Sequence, residues 1–201
     1  MRRVAAALTL LLAASAAGAA EVPSPGDVAA GTVAGGGTDF TLITTSGYVS
    51  FTAGDDWGVL DMQSRPPIAV AAFQIPDPAD RGTDDSTNLV ISLYRSGDAK
   101  AEEALAKVRA SHKAWKTRVD GDWSVAETDA PQRQTLYTIL DADKLCGDVV
   151  CGVRLAWPHL ASHTNYDARM RSTFKAFLAS VRTGSGPYHV PDGATVRRPT
   201  N

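Results

Sequence analysis

IAVAAFQI, at Ile68–Ile75, and LVISLY, at residues 89–94, are the two stretches that decide the predicted fold. Both are typical of β-strands, because they are short and almost unbroken in apolar character. A strand that is apolar on both faces has to be covered on both faces. We therefore expect these two strands to lie at the centre of a sheet with a layer packed on each side.

Two amphipathic segments are predicted to supply those layers. The first helix is expected to begin at the capping residue Asp98, and the second to run from about Asn165 to Arg182. Further strands are predicted at residues 48–53, 123–127, 135–140 and 150–157. Because the connections between strands are short, neighbouring strands should pair antiparallel. The predicted fold class is α+β: an antiparallel β-sheet with long helices on both faces, which is a three-layer α/β/α sandwich.

Three stretches resemble the Mog1/PsbP-like fold of exported bacterial proteins. They are YVSF at residues 48–51 followed by Trp57, STNLVISL at residues 86–93, and FKAFLASV at residues 174–181. The resemblance spans most of residues 48–182. It implies the same α/β/α architecture. It also implies a role as a binding or accessory module, since members of that family look largely non-enzymatic.

The first twenty residues have the pattern of an export signal. Arg2 and Arg3 form a positive start, residues 4–14 are apolar, and small residues precede a predicted cleavage site near Ala19 and Ala20. The apolar run is shorter than the roughly 20 residues that cross a bilayer. We therefore predict a periplasmic or secreted mature protein without a membrane span.

The composition of the remaining chain predicts one folded domain with loose ends. Residues 21–37 are rich in Pro, Ala and Gly and are predicted to form a flexible leader. Residues 184–201 carry a similar composition and are predicted to form a flexible C-terminal tail. The single α/β/α domain is then expected at residues 38–183.

The charge balance excludes two classes of partner. The formal net charge is −2, and removal of Arg2 and Arg3 makes the mature chain more negative. Nucleic acids and anionic membrane surfaces attract basic proteins, and the chain has no basic run. We therefore predict no nucleic-acid partner and regard a protein of the cell envelope as the candidate partner.

The two cysteines, Cys146 and Cys151, are predicted to form a disulfide. Half of a zinc site is the alternative, but a second cysteine pair is missing, and a disulfide is typical of an oxidising compartment. Gly147 and Asp148 favour a turn between them, so the cysteines should face each other across a hairpin. The closed loop is short, and the expected stabilisation is about 2 kcal/mol.

An acidic loop joins the two central strands. Its carboxylates are Asp77, Asp80, Asp84 and Asp85. Several carboxylates on one loop are typical of calcium sites, but the spacing of an EF-hand ladder is absent. Contact with a partner or ligand and an ordinary solvated loop are the other two interpretations.

Asp55, Asp56 and Trp57 form a second candidate contact site after the first clear strand. A tryptophan beside two carboxylates can act as a platform for a sugar or a peptide. The alternative is that Trp57 packs against one end of the sheet while the aspartates end the strand.

The histidines give weaker signals. His159 and His163 have the i, i+4 spacing of zinc ligands on a helix, but they follow a proline between elements and lack the H-E-x-x-H motif. His112, on the first helix, is predicted to be packed or half-exposed rather than a ligand. No metal site, cofactor or catalytic residue is predicted.

Together these observations predict an exported, non-catalytic binding or accessory module that acts through protein or small-ligand contacts. One alternative is a hydrolase that uses Asp55, Asp56 and the carboxylates of the acidic loop. The other alternative is a domain stabilised by a metal ion.

Overall fold

Two antiparallel sheets and two helices make up the part of the chain that the computed structural model describes. That part comprises residues 33–36, 38–44, 47–65, 68–76, 86–94, 100–132, 134–159, 165–186, 188–189 and 195–197. The predicted signal peptide and the predicted acidic loop, with Asp77, Asp80, Asp84 and Asp85, lie outside the described residues.

The described elements follow in this order along the chain. They are β1 (Val33–Gly36), β2 (Asp39–Ile43), β3 (Gly47–Thr52), β4 (Gly58–Arg65), β5 (Ile68–Ile75), β6 (Thr87–Tyr94), α1 (Ala101–Ser111), β7 (Lys116–Asp120), β8 (Trp123–Gln132), β9 (Thr135–Cys146), β10 (Val149–Pro158), α2 (Tyr166–Ser180), β11 (Arg182–Ser185) and β12 (Thr195–Arg197).

The larger sheet has seven strands in the order β4-β5-β6-β10-β9-β8-β7. Its longest hairpin joins β9 to β10 through Gly147, whose φ of 66° favours glycine. The Sγ atoms of Cys146 and Cys151 are 2.00 Å apart, at the distance of a disulfide. The two residues are diagonal neighbours rather than directly opposed, since Cys146 lies opposite Val149 and Cys151 opposite Lys144.

The smaller sheet has five strands in the order β11-β3-β2-β1-β12. All its pairs are antiparallel. Strand β1 lies within the stretch predicted as a leader, and β12 lies within the stretch predicted as a tail. These short strands pair with each other, so the two ends of the described chain meet at one edge of this sheet.

One apolar core joins the two sheets and α2. Phe73 of β5 lies at its centre, with its ring centroid 5.0 Å from that of Phe40 and 6.0 Å from that of Phe51. The Phe51 ring is 5.4 Å from that of Phe177 on α2. The inner face of the larger sheet is therefore covered by the smaller sheet and by α2 together.

The prediction of an α/β/α sandwich with long helices on both faces is wrong. The structure is mostly β-sheet, and its helices have only 11 and 15 residues. Much of the cover on the inner face comes from β2 and β3 rather than from a helix. On the outer face, α1 packs against β9 and β10 and buries Ala101, Ala104 and Leu105.

The error has a physical cause in the central strands. Along β6 the residues alternate between buried and half-buried, so one face is covered and the other only in part. The outward positions of β5 and β6 include Val70, Ala72, Val90 and Ser92, which are half-buried. Small side chains tolerate this partial exposure, whereas the unbroken apolar pattern predicted full cover on both faces.

The helices begin and end close to the predicted positions, with one difference. Helix α2 matches the second predicted helix, whereas the N-cap residue of α1 is Lys100 and the predicted cap Asp98 lies outside the described residues. No helix among the described residues is long and apolar enough to cross a membrane.

Candidate functional site

In the predicted contact site after β3, Asp55 and Asp56 are exposed, whereas Trp57 is packed against the core. Asp55 and Asp56 are exposed in the turn before β4. The Trp57 ring is partly buried and lies 6.0 Å from both the Phe73 ring and the Phe177 ring, measured between centroids. Trp57 therefore packs against the core, while the two carboxylates face solvent. A contact of this turn with a partner stays a prediction.

Of the two predicted zinc-spaced histidines, only His159 lies within the described residues. Its Nε2 atom is 2.5 Å from Thr138 Oγ1 and 3.4 Å from Asp129 Oδ1. Among the described residues, no group of three or more His, Cys, Asp or Glu side chains is placed to hold a metal ion.

A different polar cluster lies on β9, at residues that the sequence did not single out. Leu140 and Ala142 are fully buried in the core, so the alternating residues Asp141 and Asp143 face the opposite side, beneath α1. Both aspartates are buried, with exposed fractions of 6% and 5%. Two carboxylates with so little exposure need partners, because burial of an unpaired charge is costly.

Asp141 has a cation directly opposite it on the neighbouring strand. Arg154 of β10 pairs with Asp141 in the sheet register. The guanidinium donates two hydrogen bonds to the carboxylate, from Nε at 2.7 Å and from Nη2 at 2.6 Å. His112 Nε2 lies 3.1 Å from Asp141 Oδ2. The hydrogen bond to Asp141 raises the pKa of Arg154, so the guanidinium stays charged and offsets the charge of the Asp141 carboxylate.

Asp143 has weaker partners. The Tyr94 hydroxyl donates a hydrogen bond of 3.1 Å to Asp143 Oδ1. His112 Nδ1 is 3.9 Å from Asp143 Oδ2. Opposite Asp143 on β10 lies Gly152, where an added Cβ would be 3.2 Å from both Asp143 Oδ1 and Tyr94 Cε1. The missing side chain at Gly152 therefore leaves room around the carboxylate.

The environment makes Asp143 a weaker acid. Burial raises the pKa of Asp143 to about 6, and the nearby negative charge of Asp141 acts in the same direction. The hydrogen bond from Tyr94 opposes this shift, as do the positive fields of His112 and Arg109. Burial and Asp143 together raise the pKa of Tyr94, so its hydroxyl stays protonated as a donor.

These groups line a cavity of about 430 Å³ between α1 and the outer face of the larger sheet. We call it the α1 cleft, and its polar lining consists of Ser92, Tyr94, Ser111, His112, Asp141, Asp143 and Arg154. Arg154 neutralises one carboxylate, and the other is bonded to a neutral hydroxyl. Asp143 is ionised above about pH 6 and has His112 at 3.9 Å rather than at hydrogen-bond distance, so this carboxylate suits a ligand that brings a positive charge and hydrogen-bond donors.

Sequence analysis did not identify the cleft, because its residues come from four elements that are separated along the chain. Tyr94 ends β6, His112 follows α1, and the two aspartates and Arg154 lie on β9 and β10. One local signal was available: Leu-Asp-Ala-Asp at residues 140–143 alternates apolar and acidic residues with the period of a strand. Such a pattern indicates two carboxylates on one face of a sheet.

No protein-family model matches this chain, and no curated protein matches it. The solved structures that are similar at low sequence identity include the following two. A protein from Bacteroides thetaiotaomicron VPI-5482 is 14% identical, with a TM-score of 0.47, over 68% of this chain and 45% of that protein. LpqN, involved in cell envelope biogenesis of Mycobacterium tuberculosis, is 15% identical, with a TM-score of 0.43, over 69% of this chain and 83% of LpqN. Similarities this low identify no family, and the Mog1/PsbP-like resemblance stays a prediction.

Proposed function

We propose that this protein is an exported, non-catalytic binding module, and that it holds a small ligand with an ammonium group in the α1 cleft. The observation that carries the proposal is Asp143, a carboxylate buried in a cavity and bonded to a neutral hydroxyl. An arriving ammonium group would offset this charge and donate to Asp143 Oδ2, whereas Oδ1 already accepts from Tyr94.

The cleft also supports a limit on ligand size. A volume of about 430 Å³ lies within the range of pockets that hold small molecules. Val90 and Val108 contribute apolar lining beside the polar groups. A short aliphatic amine therefore fits the chemistry of the cleft better than a bare cation.

Export is supported by two independent features. Residues 1–20 have the signal pattern, and the disulfide between Cys146 and Cys151 is typical of an oxidising compartment. Intact-mass measurement of protein recovered from the periplasm should give a chain that begins near Ala20. Recovery of the full-length chain from the cytoplasm alone would contradict this part of the proposal.

The ligand is tested by titration calorimetry with butylammonium and with butanol as its neutral counterpart. We expect the purified mature protein to bind butylammonium and not butanol. Asp143→Asn keeps an oxygen that can accept from Tyr94 but removes the charge, and should weaken butylammonium binding at least tenfold. Asp56→Asn, which removes an exposed carboxylate from the β3–β4 turn, is the matched control and should leave binding unchanged.

Three results would overturn the proposed ligand chemistry. They are equal binding of butanol, unchanged affinity in Asp143→Asn, and the same loss of affinity in Asp56→Asn. The predicted protein partner at the acidic loop has a separate test. Joint replacement of Asp77, Asp80, Asp84 and Asp85 by Asn should remove envelope proteins that copurify with the unmodified chain.

A further inference from the structure

The face of β9 opposite the α1 cleft carries a buried cation. Lys144 follows Leu140 and Ala142 on the face that is directed at the core, and it is only 8% exposed. Its ammonium group lies 4.5 Å from the centroid of the Trp123 ring. A lysine at the rim of an apolar core needs a counter-charge, because the loss of hydration is only partly offset by an aromatic ring.

The counter-charge comes from a residue that is itself in solvent. Lys144 Nζ donates a hydrogen bond of 3.0 Å to Asp122 Oδ2, in the turn between β7 and β8. The Asp122 side chain is 71% exposed, whereas that of Lys144 is 10% exposed. An ion pair with one exposed partner is weak, so the Asp122 carboxylate can be displaced from Lys144 by another anion.

Lys144 lines a second cavity of about 430 Å³, between the β7–β8 turn and the end of α2. We call it the Lys144 cavity. Lys175 and Arg182 bring two more cations to its lining, and Asp120 and Asp122 bring two carboxylates. Arg182 Nη1 donates to the carbonyl oxygens of Ala179 and Val181, which holds its guanidinium beside the cavity.

Apart from Gly121 and Thr183, the rest of the lining is apolar. Leu178, Ala179 and Val181 contribute aliphatic surface, and Trp123 contributes an aromatic ring. Three cations outnumber two carboxylates, so the cavity favours an anion. The aliphatic surface favours an anion with an apolar portion over a fully hydrated ion such as phosphate.

We propose that the Lys144 cavity is a binding site for a small organic carboxylate with a short aliphatic chain. The ligand carboxylate takes the place of Asp122 on Lys144 Nζ, and its chain packs against Leu178 and Val181. This site is separate from the α1 cleft and takes a ligand of the opposite charge.

The test uses hexanoate as the probe and inorganic phosphate as its polar counterpart, with the mature protein in titration calorimetry. Hexanoate should bind at least tenfold more tightly than phosphate. Lys144→Met keeps the aliphatic stem and should weaken hexanoate binding at least tenfold. Asp122→Asn removes the internal competitor and should strengthen hexanoate binding at least threefold.

Opposite effects of the two variants distinguish a ligand site from an ion pair that only stabilises the fold. Lys107→Met, an exposed lysine on α1, is the matched control and should not change hexanoate binding. If Lys144→Met does not fold, Lys175→Gln at the exposed side of the cavity should weaken binding at least threefold. Absence of hexanoate binding, equal binding of phosphate, or weaker binding in Asp122→Asn would overturn the proposal.

Discussion

Asp143 is the residue through which folding and pH are coupled most directly in the α1 cleft. Its pKa rises to about 6 on folding because the carboxyl group is buried. Between the ordinary pKa of an aspartate, near 4, and this value, the folded state binds more protons than the unfolded state. The stability contributed by the neutral carboxyl is therefore full below about pH 4 and is lost as the pH rises through about 6.

Asp143→Asn should remove this pH dependence. The free energy of unfolding of the variant, minus that of the unmodified protein, should rise by on the order of 3 kcal/mol when the pH is raised from 4 to 7. This magnitude follows because a shift of one pKa unit corresponds to about 1.4 kcal/mol. Urea unfolding at several pH values measures the difference. A difference in free energy of unfolding between the two proteins that does not change with pH would contradict the burial of an ionising group at this position.

A second residue pair contributes a pH dependence of stability with the opposite sign. Arg171 of α2 donates two hydrogen bonds to Glu127 of β8, at 2.8 and 2.9 Å. These bonds lower the pKa of Glu127 despite the opposing effect of burial. The stabilisation is thus present above the ordinary pKa of a glutamate and is lost as the pH falls through the lowered value.

A double-mutant cycle with Glu127→Gln and Arg171→Gln should give a coupling energy of about 1 kcal/mol at pH 7, since Arg171 is partly exposed to solvent. The coupling should vanish in acid, where Glu127 is protonated. Thermal or urea unfolding of the four proteins provides the measurement. Coupling that persists unchanged in acid would show that packing, rather than charge, joins the two side chains.

At the scale of elements, the β9–β10 hairpin is the unit on which both cavities depend. Asp141 and Asp143 lie on one face of β9, and Lys144 lies on the other. The disulfide between Cys146 and Cys151 closes this hairpin at its turn. A shift of one residue in the pairing of β9 would exchange its two faces, so a fixed register is a condition for both sites.

Replacement of Cys146 and Cys151 together by alanine should lower the free energy of unfolding by at least about 2 kcal/mol. That is the expected contribution of a short cross-linked loop, and the buried sulfur atoms add a packing loss. Urea unfolding of the variant measures the loss. A decrease of less than 1 kcal/mol would indicate that the hairpin is held by its backbone pairing alone.

The sequence predicts elements better than it predicts layers in this chain. Strands β3, β5, β6, β8, β9 and β10 and helix α2 lie at or near predicted positions, because apolar periodicity identifies them. Strands β1 and β12 lie in stretches of Pro, Gly and Ala without such a period, and they acquire strand structure by pairing with each other. The part of the smaller sheet that β1 and β12 form was therefore not predictable from local pattern.

In the candidate site, too, local sequence pattern did not identify the residues that only the folded chain brings together. The predictions selected carboxylates that are close in sequence, such as Asp55 and Asp56, and these are exposed. The buried cluster joins Tyr94 and His112 to Asp143, and Arg154 to Asp141, between residues that are distant in sequence. The sheet register and the packing of α1 on the sheet bring those side chains together, and register follows from the whole pattern of pairing rather than from any one strand.

At the scale of the whole molecule, aromatic rings join the two sheets and α2 into one core. Phe73 contacts rings of the smaller sheet and also lies 6.0 Å from the Trp57 ring, measured between centroids. It is completely buried. The loss of this ring would open a cavity at the point where three elements meet.

Phe73→Ala should lower the free energy of unfolding by about 3–5 kcal/mol, the usual cost of removing a buried phenyl ring. Val59→Ala, at a half-exposed position on the neighbouring strand β4, is the control and should cost less than about 0.5 kcal/mol. Circular dichroism during thermal unfolding follows both variants. A loss below 1 kcal/mol in Phe73→Ala would mean that the two sheets are not held together by this ring.

The disulfide at the tip of the β9–β10 hairpin has a practical consequence for ligand screening. Recombinant chain made in a reducing cytosol would carry free thiols two residues beyond Lys144, at Cys146, and one residue before Gly152, at Cys151. In such material both cavities would lie on a hairpin that lacks its disulfide cross-link. Protein for screening should therefore be secreted into the periplasm or refolded with an oxidant, and its thiol content should be titrated before any compound is added.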